Sequence, residues 1–223
     1  MTTSYRLITI AALFVTCLIT ANIIIAKQIA VAGMILPAAI IIFPLSYIFG
    51  DILTEVYGYQ QARRVIWLGF LCNLIAVVAI WIGKVLPPAP VFEAQAAYET
   101  ILGSTPRFLI ASFVAYLAGE FTNSFVLAKM KIKTKGRWLW SRTIGSTLVG
   151  QGIDTVVVLF IAFLGTLPLS VLGTMVLSHW LVKTIYETAA TPLTYGIVGY
   201  LKRKENIDTY DYQTRFNPFR LAE

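Results

Sequence analysis

Charged side chains are scarce in this chain: Asp, Glu, Lys and Arg make up 13% of 223 residues, about half the quarter typical of a soluble domain. That scarcity excludes a fully water-exposed surface. With 57% hydrophobic residues and a mean hydropathy of +0.74, lipid is the solvent for most of the chain. Cysteine is also nearly missing. Cys17 and Cys72 both fall inside apolar runs, where a disulfide framework or a zinc site would need different spacing and company, so they read as free thiols filling apolar space. His179 is the single histidine, and there is no HExxH pair, no glycine-rich nucleotide fingerprint and no GxSxG turn. These absences argue against an enzyme, a metal site and a bound cofactor. The remaining enzyme reading is a membrane hydrolase built on Asp51 and Asp154.

What is present is apolar length. A bilayer-spanning helix needs roughly 20 mainly apolar residues, because it rises 1.5 Å per residue through about 30 Å of hydrocarbon. Six segments qualify: Leu7 to Gln28, Ile35 to Tyr57, Val65 to Leu86, Phe108 to Lys129, Ile144 to Leu167 and Val171 to Leu201. The expectation is an all-α membrane protein, a single six-helix transmembrane domain over residues 1–201 with a short tail at 202–223. The first segment is longer than the apolar part of a signal peptide, and Asn22 and Lys27 stand where a cleavage site would need small residues, so it reads as a retained helix.

The formal net charge of +7 is distributed by topology, which removes the nucleic-acid reading that a basic chain invites. Arg6 precedes helix 1, Arg63 and Arg64 lie between helices 2 and 3, and Lys129, Lys131, Lys133, Lys135, Arg137 and Arg142 surround the link between helices 4 and 5. Lys202, Arg203 and Lys204 follow helix 6. Six crossings put all four clusters on one face, and the positive-inside rule makes that face cytoplasmic, with both termini there and the protein multi-pass in the cell inner membrane.

Ionisable residues at membrane depth are costly and usually mark a solute or ion path. In helix 2, Phe43, Tyr47, Asp51 and Glu55 recur every four residues and share one stripe. Pro44 and Gly50 point to a kink or break just before the carboxylates. Helix 4 carries Glu120 and Asn123 three apart, and helix 5 carries Gln151 and Asp154 in the same relation; each pair joins a carboxylate acceptor to an amide that donates and accepts. Glue between helices is the competing reading for the amides. Helix 6 places His179, Lys183 and Glu187 on one stripe, where Lys183 and Glu187 can pair along their own helix and His179 is either interfacial or a proton relay. Asp51, Glu120 and Glu187 follow at nearly equal intervals, one in the second member of each of three consecutive hairpins.

Carboxylates and amides beside aromatic faces such as Phe43, Tyr47, Tyr116 and Trp180 suit a flat, donor-rich solute such as a purine-like base. A channel fits less well, because pores are lined by rings of like groups. The sequence also resembles the YhhQ-type queuosine precursor transporter family, described as vitamin-uptake-like transporters. The matching stretches are ANIIIAKQI, FPLSYIFGDILTEVYGYQQARR, GEFTNSFVLAKMK, TIGSTLVGQGIDTVVVLFIAF and the tail TRFNPF. The resemblance implies uptake of 7-deazapurine bases, preQ0, preQ1 or queuine, with Asn22, Asp51, Glu55, Glu120, Asn123, Gln151, Asp154 and Lys183 as the matching positions. Some members lack a counterpart of Glu55, which ranks it below Asp51. No ATP-binding motif is present, so the partners to be expected are the solute, the bilayer, and either further copies of the chain or separate ATPase subunits. A substrate-binding subunit of an energy-coupling-factor transporter is the alternative reading.

Overall fold

A computed structural model describes residues 4–31, 34–103 and 106–220. Among these residues seven α-helices form in order: α1 Tyr5–Ile24, α2 Phe43–Tyr57, α3 Tyr59–Val85, the short α4 Gln95–Leu102, α5 Pro106–Lys133, α6 Leu139–Phe163 and α7 Leu169–Glu205. The stretches Tyr5–Ile24, Ala38–Tyr57, Tyr59–Val85, Gln95–Lys133 and Leu139–Phe163 are long and apolar enough to cross a membrane. α7 is the longest helix, but His179, Lys183 and Glu187 interrupt its apolar course, and it does not reach the same measure.

Residues 25–42 differ from the sequence reading, which carries helix 1 to Gln28 and starts helix 2 at Ile35. β1 Gln28–Val31 and β2 Met34–Pro37 pair antiparallel, Gln28 opposite Pro37, and a single 3₁₀ turn, Ala38–Ile41, leads into α2. Two prolines explain the change. Pro37 cannot donate a helical hydrogen bond, and Pro44 fits a helix only in its first turn, which is where it stands in α2. The expected kink at Pro44 and Gly50 is therefore absent: Pro44 interrupts no interior bond, and α2 is continuous through Gly50.

α2 is the axis of the bundle. From Ser46 to Tyr57 every residue but Phe49 is buried, and α2 packs on α1, α3, α5 and α7. Phe14 and Leu18 of α1, Ile52, Leu53 and Val56 of α2 and Ile66 of α3 lie in the apolar core around it. The outward face of α3 shows Leu68, Leu71, Ile75, Val78 and Ile82, a surface suited to lipid. The tightest helix pair is α5 on α6. A Cβ on Gly119 would lie 3.1 Å from the Gly150 carbonyl oxygen and 2.8 Å from Asp154 Cβ, so the pair closes only because both positions lack side chains.

Arg63 and Arg64 are not loop residues. Gly58 alone separates α2 from α3, at φ +84°, so both arginines lie in the first turns of α3. Arg63 is buried and donates to the carbonyls of Arg215 (3.1 Å) and Asn217 (2.8 Å). The tail after α7 is correspondingly ordered against the α2–α3 junction: the Asp211 carboxylate accepts from Tyr59 N–H at 3.1 Å, and Trp67 Nε1 donates to the Pro218 carbonyl at 2.7 Å.

Candidate functional site

The polar residues singled out in the sequence occupy three successive levels. The first is a cavity of about 520 Å³ whose walls include Asn22, Phe43, Asp154, His179 and Lys183 together with Gln28, Asn73, Ser112 and Tyr116. Its far rim reaches the α4 region at Thr100, Ile101 and Gly103. Lys183 does not pair with Glu187 along α7. It donates to Asp154 Oδ2 on α6 at 2.8 Å and lies 4.6 Å from the centre of the Phe43 ring, so one cation is shared by a carboxylate and an aromatic face. On another wall Asn22 donates to Asn73 Oδ1 at 3.0 Å and accepts from Ser112 at 3.4 Å. Asn73 and Ser112 carried no sequence signal, since a lone Asn or Ser in an apolar run looks like any tolerated polar residue. Trp180, expected to stack on a solute, instead donates its indole N–H to the Leu148 carbonyl at 2.9 Å.

The second level lies beneath the cavity and is closed to solvent. Tyr47, Asp51, Glu120, Asn123, Gln151 and Glu187 are 0–3% exposed. Asn123 donates to Asp51 Oδ1 at 2.7 Å, so the amide serves α2 and not Glu120 on its own helix. Glu187 accepts from Thr147 Oγ1 at 2.6 Å. Among the described residues, Glu120 has no hydrogen-bond partner on either carboxylate oxygen, Gln151 none on its amide, and the Tyr47 hydroxyl none. Buried polar groups are nearly always bonded. Most of the buried polar side-chain atoms without a partner among the described residues lie at this level.

The third level is an ion cluster at the opposite end. Glu55 is fully buried and does not face the cavity. Arg142 of α6 grips it with two bonds, Nε to Oε2 at 2.8 Å and Nη2 to Oε1 at 2.7 Å, and Lys202 of α7 adds a third at 2.6 Å. Lys131 of α5 donates to the Glu55 carbonyl at 2.5 Å and to Asp208 at 2.6 Å. Burial pushes the Asp208 carboxyl up, but bonds from Lys131 and Lys202 outweigh this and hold it below the usual carboxylate range. In the sequence Lys131, Arg142 and Lys202 read as loop charges; the structure makes them the bolts of a closed end.

A family described as "Putative vitamin uptake transporter" matches residues 37–197, well over half of the chain. The chain belongs to that family. This vitamin-uptake-type transporter is 30% identical over 180 residues to the "Probable queuosine precursor transporter" of Bacillus subtilis (strain 168), covering 80% of the chain and 78% of that protein. It is 26% identical over 129 residues to the "Queuosine precursor transporter" of Escherichia coli (strain K12), covering 54% of the chain and 52% of that protein. No solved structure matches. The family match and the apolar helices make the chain a multi-pass membrane transporter. The matched stretch holds every candidate site residue except Asn22.

Proposed function

We propose that the chain imports a queuosine precursor, preQ0, preQ1 or queuine, across the cytoplasmic membrane, crossing it six times with both termini inside. The observation that carries this reading is the cavity between α1, α5, α6 and α7, whose volume of about 520 Å³ falls in the range of small-molecule sites. Its walls offer what a flat guanine-like base needs: a carboxylate on Asp154 for ring and amino N–H groups, amides on Asn22 and Asn73, and the Phe43 face. The names of the two relatives support the same solute class.

In this reading the cavity opens outward, towards α4, and the Glu55 cluster is the closed cytoplasmic gate. Asn22, Phe43, Asp154, Lys183 and His179 meet the solute first. Tyr47, Asp51, Glu120, Asn123, Gln151 and Glu187 lie on the path it takes when the cavity closes outside and the gate opens inside, with Glu55 at the exit. The test is uptake of labelled preQ0 by cells unable to make it, with and without Asp154→Asn. Uptake that depends on the chain and is lost in the variant, at unchanged membrane abundance, supports the reading. Wild-type uptake by the variant rules out the Asp154 site.

A further inference from the structure

Three buried acids, Asp51 of α2, Glu120 of α5 and Glu187 of α7, come together at the second level, and none of them belongs to an ion pair among the described residues. Asp51 has an amide donor from Asn123 and Glu187 a hydroxyl donor from Thr147. Glu120 has neither: its side chain is 0% exposed and both oxygens are without a partner. The titratable groups facing it are Tyr47 and Asp51 from α2, Tyr116 from its own helix, Asp154 from α6 and Glu187 from α7. From α1, Phe14 presents an apolar ring at the same point, beside Gly50. Asp154 is matched by Lys183, which leaves no cation for Glu120. A bare carboxylate in such a place is far costlier than a protonated one, so the group stays neutral by holding a proton. A metal ion is the poorer occupant: no three acidic, histidine or cysteine side chains converge tightly enough to ligate one among the described residues, whereas a proton needs a single oxygen.

We infer that Glu120 is the proton-binding site of the transporter, loaded while the cytoplasmic gate is closed and emptied when that gate opens, so that solute enters together with a proton. The proton comes from the cavity by way of its wall, where Asp154 stands between cavity and Glu120, forms an O–H bond on the Glu120 carboxylate, and leaves to cytoplasmic water once parting of the Glu55 cluster lets that water hydrate the carboxylate. The coupling rests on the import reading given above, but the occupancy of Glu120 does not.

Two measurements on the full chain test it separately. Infrared spectra of purified protein in detergent at neutral pH should show a protonated-carboxyl stretch that disappears in Glu120→Gln, a neutral isostere of the protonated acid. A spectrum unchanged by the substitution overturns the proposal. Proteoliposomes given preQ0 and an imposed gradient of one pH unit, alkaline inside, should accumulate it about tenfold for one proton per solute, since one pH unit carries the free energy of a tenfold ratio. Glu120→Gln should show no accumulation driven by the gradient. Wild-type accumulation that ignores the pH gradient, or follows only a sodium gradient, overturns the coupling. A carboxyl band lost in Glu120→Gln without any preQ0 uptake upholds the proton site and overturns the solute assignment.

Discussion

Replacing Glu55 by Gln should be among the most damaging single changes outside the cavity. The carboxylate is fully buried and takes two bonds from Arg142 and one from Lys202, with Lys131 Nζ 3.7 Å away. Each such bond to a charged group contributes about 1.5–3 kcal/mol. Lys131 and Lys202 keep Asp208 as a second acceptor, but Arg142 does not, and its guanidinium is left buried without a counter-charge. Breaking a buried pair from one side costs about 3–5 kcal/mol. For a chain of this size each kcal/mol lowers Tm by about 2–4 °C, so thermal unfolding in detergent should fall by about 6–20 °C. Adding Arg142→Gln to Glu55→Gln should recover part of that loss, because the stranded cation is removed as well. A fall below about 1 kcal/mol, the value of an exposed pair, or a double variant that loses the sum of the two singles, would refute the claim that this end is held by a dry ion cluster.

Asp208 gives a pH dependence of definite sign. Its carboxyl is held below the usual range by the bonds from Lys131 and Lys202, despite partial burial, so its contribution is full above the unfolded value of about 3.9 and is lost as pH falls through the lower folded value. Hydrogen exchange in residues 206–220 should therefore quicken on that descent, and Asp208→Asn should show the faster exchange already at neutral pH; equal exchange in the two proteins contradicts this. Gly119→Val should separate α5 from α6, because its Cβ would stand 2.4 Å from the Tyr47 hydroxyl and 3.1 Å from the Gly150 carbonyl oxygen. A loss of about 2 kcal/mol or more in stability is expected, and a Tm within a degree of wild type speaks against the close contact.

Much of this fold can be read from apolar length, and the polar residues set into it do mark the interior. Asn22, Asp154 and Lys183 meet in one cavity, and Asp51, Glu120 and Glu187, read from the sequence only as one acid in each of three hairpins, come together beside it. Pairing is what the sequence hides. Helical spacing links Lys183 to Glu187 and Glu120 to Asn123, yet the observed partners are Asp154 and Asp51 on neighbouring helices, because a buried group bonds to whatever the packing brings nearest. The same limit applies to charge counting. Arg63 and Arg142 add to a basic face whether they meet water or, as here, a tail carbonyl and a buried carboxylate. Residues 25–42 were obscured because a short apolar run fits strand and helix alike.

The single-residue joint at Gly58 has a mechanical meaning. A connector this short offers one pair of soft dihedrals, and the tail splices across it, with Thr209 N–H on the Val56 carbonyl at 3.2 Å and the Asp211 carboxylate on Tyr59 N–H. α2 and α3 thus form a yoke. A tilt of the helix that carries Asp51 and Glu55 would therefore carry with it the outward wall of α3 and the tail as far as Asn217, which Arg63 ties to the same junction, with no hinge between them.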